Sequence, residues 1–152
     1  MLPRDLENVV SRQEIMELRH RYNWHVVRGE YDRVADLYVT DGLFENNTEI
    51  GKSQAIGREA ILATLQRLPV GWAFIVTHNQ TISVSGDEAF GTCVMTAHAP
   101  KAEFPHYTGY YHDLFRRVDG EWYFLARRYF RYYPAFVRSE IDINEPAPLV
   151  LD

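Results

Sequence analysis

Three side chains in this sequence could carry acid–base or ion-binding chemistry in a pocket, namely His78, Tyr22 and Arg131. A neutral imidazole accepts a proton near pH 7 without a large change in its pKa, so His78 is a candidate general base. The Tyr22 hydroxyl could hydrogen-bond or protonate a departing oxygen, and Arg131 could hold a carboxylate, enolate or phenolate. Each residue also has a structural interpretation: a strand histidine bonded to a carbonyl, a core tyrosine, and an arginine paired with Glu121 or Asp113.

Three further residues are candidates for contact with a substrate: His98, Asp113 and Asn79. The position of His98 depends on the loop at Gly86–Asp87. A loop of two or four residues places His78 and His98 on opposite faces of the sheet, whereas three residues place them on the same face. The sequence leaves these alternatives open.

The sequence has no cluster of metal-ligating residues spaced so that they could bind one ion together. His20 and His25 are five residues apart, which does not put them on one helix face. Cys93 is the only cysteine, which excludes an internal disulfide and a cysteine-based zinc site. We therefore expect neither a metal nor a cofactor.

The composition is typical of one globular domain spanning residues 1–152. The chain has 46% hydrophobic and 24% charged residues and a net charge of −5, which argues against a duplex nucleic-acid partner. No apolar run reaches the ~18 residues that span a bilayer, and the N-terminus is too charged for a signal peptide. We expect a cytoplasmic protein that binds neither nucleic acid nor a membrane.

The apolar spacing changes period halfway along the chain. The first half predicts helices, the first with Asp5 as its N-cap and Gly29 as its stop. The second half is rich in Thr, Val, Ile, Tyr and Phe and predicts strands. The predicted elements are helices over 5–28, 30–39 and 58–68, a turn at Asp41–Gly42, a strand over 43–47, a loop over 51–57, and strands over 72–84, 89–99, 106–118 and 121–133. This order indicates an α+β fold, with a tail (134–152) on the surface or at a subunit contact.

Asp119-Gly120 predicts a two-residue hairpin between the last two strands. Val118 then lies opposite Glu121, Phe115 opposite Phe124, Asp113 opposite Ala126 and Tyr111 opposite Arg128. In this register Asp113 and Arg128 are diagonal neighbours on one face and could pair.

Two segments resemble SnoaL-like proteins of the nuclear-transport-factor-2-like superfamily. The family's opening is similar to RYNWHVVRGEYDRVADLYVTDGLFE, and its last hairpin is similar to VDGEWYFLARRYFRYYPAF. With His78 before TISVSGDEAFG, the resemblance covers residues 8–136. The relatives it suggests are scytalone dehydratase, bile-acid 7α-dehydratase and hexachlorocyclohexane dehydrochlorinase.

The resemblance implies a cone-shaped curved antiparallel sheet wrapped around three N-terminal helices, with an enclosed pocket. It assigns the family's base to His78, a pocket tyrosine to Tyr22, a late arginine to Arg131 and a second polar pocket position to His98. The family's catalytic carboxylate falls on Val27, which cannot orient or charge a histidine.

The resemblance favours a cofactor-independent lyase or isomerase. We expect a dehydratase that acts on a small cyclic hydrophobic substrate through proton abstraction by His78. The alternatives are a non-catalytic ligand-binding or assembly subunit, like the small subunit of ring-hydroxylating dioxygenases, and a polyketide-type cyclase. Val27 favours the non-catalytic alternative. Family members imply a homodimer or homotrimer.

Overall fold

The computed structural model describes residues 2–103 and 105–149, with side chains from Leu6 onward. Three helices precede or interrupt seven strands that form one sheet. The elements are α1 (Leu2–Arg28), α2 (Tyr31–Ala35), β1 (Tyr38–Thr48), β2 (Gly51–Ile56), α3 (Arg58–Leu65), β3 (Phe74–His78), β4 (Ser83–Ser85), β5 (Glu88–His98), β6 (His106–Val118) and β7 (Glu121–Tyr133).

The three predicted helices are present, with different ends. Helix α1 ends before Gly29, which has a positive φ of 71°, as predicted. It begins at Leu2, so Asp5 lies inside the helix and the prediction that it caps the helix is wrong. Helices α2 and α3 end at Ala35 and Leu65, earlier than the sequence predicts.

The first two strands differ most from the sequence prediction. Asp41–Gly42 is not a turn, because β1 continues through it with an irregular register between Tyr38 and Leu43. The predicted loop over 51–57 is largely strand β2, which pairs antiparallel with β1 after a turn at Glu49–Ile50. Gly-Lys-Ser-Gln lacks strand-forming residues, so cross-strand pairing rather than local propensity makes this segment a strand.

The sheet is curved, unclosed and mixed, with the strand order β2-β1-β7-β6-β5-β3, and β4 pairs with β5. Most neighbours are antiparallel, as predicted, but β1 runs parallel to β7. A wholly antiparallel sheet is therefore the wrong description, while the three-helix α+β cone is confirmed. The helices pack on the concave face, where Ile15 and Leu18 of α1 belong to the same buried core as Phe115 and Phe124. Burying an aliphatic side chain of this size contributes about 1.5–3 kcal/mol.

The predicted strand over 72–84 is two strands with a break between them. Asn79 has a positive φ of 54° and follows β3 directly. The turn at Gly86–Asp87 has two residues, since Ser85 pairs with Glu88. The break at Asn79 shifts the pairing of β3 with β5 by one residue relative to the pairing of β4 with β5. His78 therefore pairs with Val94.

The last hairpin has the predicted bounds and turn, but its register shifts at two places along β7. Phe115 pairs with Phe124 as predicted, whereas Leu114 pairs with Ala126. Leu125 is therefore bulged, and the side chains from Ala126 to Arg131 change face relative to the prediction. A second shift follows, since Gly109 pairs with Arg131 and Thr108 with Tyr133. Along the part of the chain that the structure describes, no helix is long and apolar enough to cross a membrane.

Candidate functional site

A cavity of approximately 230 Å³ lies between the helices and the concave face of the sheet. Its apolar wall includes Val26, Trp72, Ile75 and Met95. Its polar groups are mostly phenol hydroxyls, and the polar lining residues are Tyr22, Tyr107, Tyr111, Tyr129, Asn46, Thr64 and Arg131. A small apolar chamber with a few polar groups is typical of a ligand site.

The four tyrosines reach the cavity from three elements. Tyr22 lies on the buried stripe of α1, one turn from Val26. Tyr111 of β6 pairs across the sheet with Tyr129 of β7, and their ring centroids are 5.7 Å apart. Gly109 makes room for Tyr129, because a Cβ at that position would lie 2.3 Å from its Cε2 atom.

Burial keeps these phenols neutral. Desolvation raises the pKa of Tyr22, Tyr107, Tyr111 and Tyr129 above the usual value for tyrosine. Tyr129 donates its O–H to the carbonyl of Thr108 at 3.4 Å. The neutral hydroxyls of Tyr22, Tyr107 and Tyr111 can therefore each donate one hydrogen bond to a ligand oxygen.

Arg131 is the cation of the cavity wall. Its Nη1 donates to both carboxylate oxygens of Glu49, at 3.0 and 3.3 Å. Its guanidinium carbon lies 5.4 Å from the ring centroid of Tyr107. Its Nε is buried and has no hydrogen-bond partner among the described residues. The Nε–H group of Arg131 can therefore donate one more hydrogen bond to a ligand.

Asp113 lies beneath the cavity in a buried cluster of charges with Arg127 and Arg19. Arg127 donates from Nε to Oδ1 at 2.9 Å and from Nη2 to Oδ2 at 3.2 Å, and Arg19 Nε donates to Oδ2 at 3.0 Å. All three side chains are fully buried. The Arg127 guanidinium carbon lies 3.7 Å from the ring centroid of Tyr111 and 4.3 Å from that of Tyr22. Asp113 thus supports the floor of the cavity rather than lining it.

The predicted pairing of Asp113 with Arg128 is wrong because of the bulge at Leu125. Arg128 lies instead on the outer face, opposite His112. There its Nη2 donates to the carbonyl of Pro148 at 2.9 Å. Its Nε lies 3.8 Å from Glu45 Oε2.

The described part of the tail packs against this outer face. His112 is fully buried, and its Nε2 lies 3.2 Å from the carbonyl oxygen of Glu145. Desolvation lowers the pKa of His112, and the nearby Arg128 adds to that effect. The tail therefore covers part of its own sheet, and its place at a subunit contact stays a prediction.

The two histidines predicted for the pocket lie outside it. His78 and His98 share the outward face of the β3–β5 pair, and both are exposed. His98 contacts His106 across the strands, with ring centroids 4.7 Å apart. Asn79 is also exposed, at the break after β3. The sheltered position predicted for His78 is wrong, since alternation along β3 turns Ile75 inward instead.

Val27 lies in a shallow groove between α1 and β3, together with Trp24, Ile75 and Val76. Ile75 reaches both this groove and the cavity. The position at which the resemblance expects an acid and the inward position of β3 are therefore both apolar and close to each other.

Sequence reasoning identified Tyr22 and Arg131 but missed Tyr107, Tyr111, Tyr129, Asn46 and Trp72. The alternation of Tyr107, Gly109 and Tyr111 was a usable signal, because it places two tyrosines on one face of a strand. The face of Tyr129 and Arg131 required knowledge of the bulge.

The arrangement can bind and polarise an oxygen-bearing molecule in a mainly apolar space. Of the lining residues that the structure describes, none carries a carboxylate or an imidazole. The wall can therefore donate hydrogen bonds and hold an acceptor or a negative charge. Without a carboxylate or an imidazole, the described wall has no general base that could take a proton from carbon.

A model of the SnoaL-like domain family matches residues 7–128 of the chain. No curated protein sequence matches it significantly. Solved structures share the fold. An NTF2-like protein with a cystatin-like fold from Novosphingobium aromaticivorans is 25% identical, with a TM-score of 0.74, covering 88% of this chain and 90% of that one.

Two further solved structures carry the names of enzymes. A candidate scytalone dehydratase from N. aromaticivorans DSM 12444 is 25% identical, with a TM-score of 0.71 and coverage of 86% and 91%. The hexachlorocyclohexane dehydrochlorinase LinA-type3 from Novosphingobium barchaimii LL02 is 21% identical, with a TM-score of 0.72 and coverage of 89% and 99%. The last likeness shows the fold alone.

Proposed function

Because the chain belongs to the SnoaL-like domain family, we propose that its cavity binds a small, mainly apolar cyclic molecule that carries an oxygen acceptor. The single observation that carries the proposal is the make-up of the wall. The wall combines aromatic and aliphatic side chains with four tyrosines and one arginine. Rings supply contact area, and the few polar groups fix the orientation of the ligand.

Binding without catalysis is the function that this wall supports best. Proton abstraction from carbon needs a base within hydrogen-bond reach of the reacting C–H group. His78 is exposed, Val27 replaces the expected acid, and the inward residue of β3 is Ile75. These three positions favour a ligand-binding protein over a dehydratase that uses His78.

A lyase or isomerase is the second candidate, and the 25% identity to the candidate scytalone dehydratase favours it. In this case the proton would leave to water, because the described wall has no base. The phenols and Arg131 would stabilise the developing negative charge on oxygen. Double-bond migration, water elimination and polyketide-type cyclisation would share this stabilisation.

Calorimetric titration with 2-naphthol, which is neutral at neutral pH, tests the proposed binding. We expect saturable binding at one site per chain, with a negative heat-capacity change as apolar surface is buried. The same preparation is then incubated with scytalone and with hexachlorocyclohexane. Binding without turnover supports the ligand-binding function, turnover supports the second candidate, and the absence of both contradicts the proposal.

We also propose association into a homodimer or homotrimer. Exposed aromatic side chains support it: Tyr132 and Phe136 are 60% and 65% exposed and contact each other at the end of β7. Light scattering coupled to size-exclusion chromatography gives the mass directly. A mass equal to one chain at micromolar concentration would contradict association.

A further inference from the structure

Resting on the proposed binding function, we propose that the ligand of this cavity is an aromatic oxyanion, a phenolate or a conjugated enolate, rather than a neutral molecule. The proposal comes from the charges in and beneath the cavity. The composition of the wall alone does not distinguish an anionic ligand from a neutral one.

The layer beneath the cavity carries a surplus positive charge. Arg19 and Arg127 are both fully buried, and Asp113 is the one carboxylate that the structure places between them. Cys93 contacts Arg127 at 3.7 Å, but burial raises the pKa of its thiol, so it stays neutral. Two guanidinium groups against one carboxylate leave one positive charge in a region of low dielectric constant.

The wall of the cavity does not cancel that charge. Arg131 and Glu49 form a pair whose charges balance, and Glu49 stands at the exposed side of that pair. The phenols of Tyr22, Tyr107, Tyr111 and Tyr129 are neutral. Within the described residues, the cavity therefore faces a net charge of one and has no anion of its own.

Buried N–H groups of these three arginines lack partners. Nη2 of Arg19, Nη1 of Arg127 and Nε of Arg131 are buried and make no hydrogen bond in the described structure. An unpaired buried donor of a charged group is costly, and a nearby negative charge reduces that cost. An anion in the cavity would supply it, directly at Arg131 and through space at the other two.

Arg127 also acts on the ligand through the tyrosine rings. Its guanidinium group stacks against Tyr111 and Tyr22, with its carbon 3.7 and 4.3 Å from their ring centroids. The cation opposes the effect of burial on the pKa of both phenols. The two hydroxyls are therefore stronger hydrogen-bond donors than buried phenols without a cation, and stronger donors favour a charged acceptor.

The apolar wall favours an aromatic carrier for the charge. Trp72 and Tyr107 lie side by side in the wall, with ring centroids 5.7 Å apart. A volume of approximately 230 Å³ suits one or two fused rings. A charge delocalised over such a ring loses less hydration on entering the cavity than a localised one does.

The test uses 4-nitrophenol, which ionises near neutral pH and absorbs visible light only as the phenolate. A pH titration with the protein in excess gives the pKa of the bound molecule. We expect it to fall by about one unit below that of free 4-nitrophenol, which means about tenfold tighter binding of the phenolate. An unchanged or raised pKa of bound 4-nitrophenol would overturn the proposal.

A neutral analogue separates this proposal from the one on which it rests. Binding of 4-nitroanisole together with an unchanged pKa of bound 4-nitrophenol rejects only the oxyanion. If neither compound binds, the proposed binding function fails as well.

Substitutions of Arg131 and of its partner Glu49 are expected to change the preference for the phenolate in opposite directions. Arg131→Gln removes the wall cation and should raise the pKa of bound 4-nitrophenol. Glu49→Gln removes the competing carboxylate and should lower the pKa of bound 4-nitrophenol further. The affinity for the phenolate should then rise several-fold. Glu49 is partly exposed, so its substitution spares the core. A pKa that neither variant moves would contradict the proposed role of this pair.

Discussion

Asp113 and Arg127 lie directly opposite each other on β6 and β7 and share two hydrogen bonds, at 2.9 and 3.2 Å. They meet because Leu125 is an extra residue in β7, which turns Arg127 inward and Arg128 outward. One bulged residue therefore decides which arginine lies beneath the cavity and which one holds the tail.

Asp113→Asn should be strongly destabilising. The substitution leaves Arg19 and Arg127 buried without a counter-charge, and breaking a buried ion pair in this way costs about 3–5 kcal/mol. For a chain of this length that is a fall in Tm of about 10 °C. Thermal unfolding followed by circular dichroism measures it.

Asp87→Asn is the matched control, because Asp87 also binds an arginine, Arg117, but is 72% exposed. It should change stability by less than about 1 kcal/mol. Equal losses for the two variants would show that the buried cluster has no special role.

Arg19→Met should cost less than Asp113→Asn. It removes the surplus positive charge, keeps both hydrogen bonds between Arg127 and Asp113, and retains an apolar stem against Phe115. The variant loses the charged hydrogen bond to Asp113 and two longer ones, to Gln80 Oε1 at 3.3 Å and to the carbonyl of Thr81 at 3.4 Å. Removal of the surplus charge offsets part of this loss, so we expect a net cost of about 1–3 kcal/mol. Urea denaturation ranks the two variants. A larger loss of stability for Arg19→Met would refute the surplus positive charge of the cluster formed by Arg19, Arg127 and Asp113.

Much of the fold could be predicted from sequence, because the turn residues and the spacing of apolar residues are consistent with the tertiary structure. Asp119-Gly120 fixed the last hairpin, and the apolar period of α1 identified Tyr22 as an inward residue. The bulge at Leu125 has no such signal, since neither Gly nor Pro marks it. The pairing of Asp113 was therefore predicted with the wrong arginine.

The position of His78 shows a second limit of sequence reasoning. The sequence predicts one strand over 72–84, but the chain breaks at Asn79 and β3 shifts by one residue. In a strand with period two, a shift of one residue exchanges the inward and outward faces. The resemblance could suggest that a histidine belongs near this strand, but it could not establish which face that histidine occupies.

His112 should make stability depend on pH. Burial lowers its pKa in the folded protein, so the unfolded chain binds the proton more readily. Stability is therefore fully present above the ordinary histidine pKa of about 6.5 and falls as the pH drops from there through the lowered pKa. Urea denaturation at a series of pH values from about 5 to 7.5 measures the slope.

His112→Gln is the comparison for this slope, because its amide can still donate to the carbonyl of Glu145 but does not titrate. The variant should show a flatter dependence of stability on pH across that range. The same slope in both proteins would exclude His112 as its source.

The most direct measurement compares the binding of 2-naphthol by two variants of neighbouring residues on β3. Ile75 is 8% exposed and reaches the cavity, while Val76 is 42% exposed and lines only the outer groove. Ile75→Phe fills the cavity and should weaken binding at least about tenfold, whereas Val76→Phe should leave it within about twofold. Calorimetric titration gives both affinities. Equal affinities for the two variants, or a loss confined to Val76→Phe, would contradict binding in the cavity.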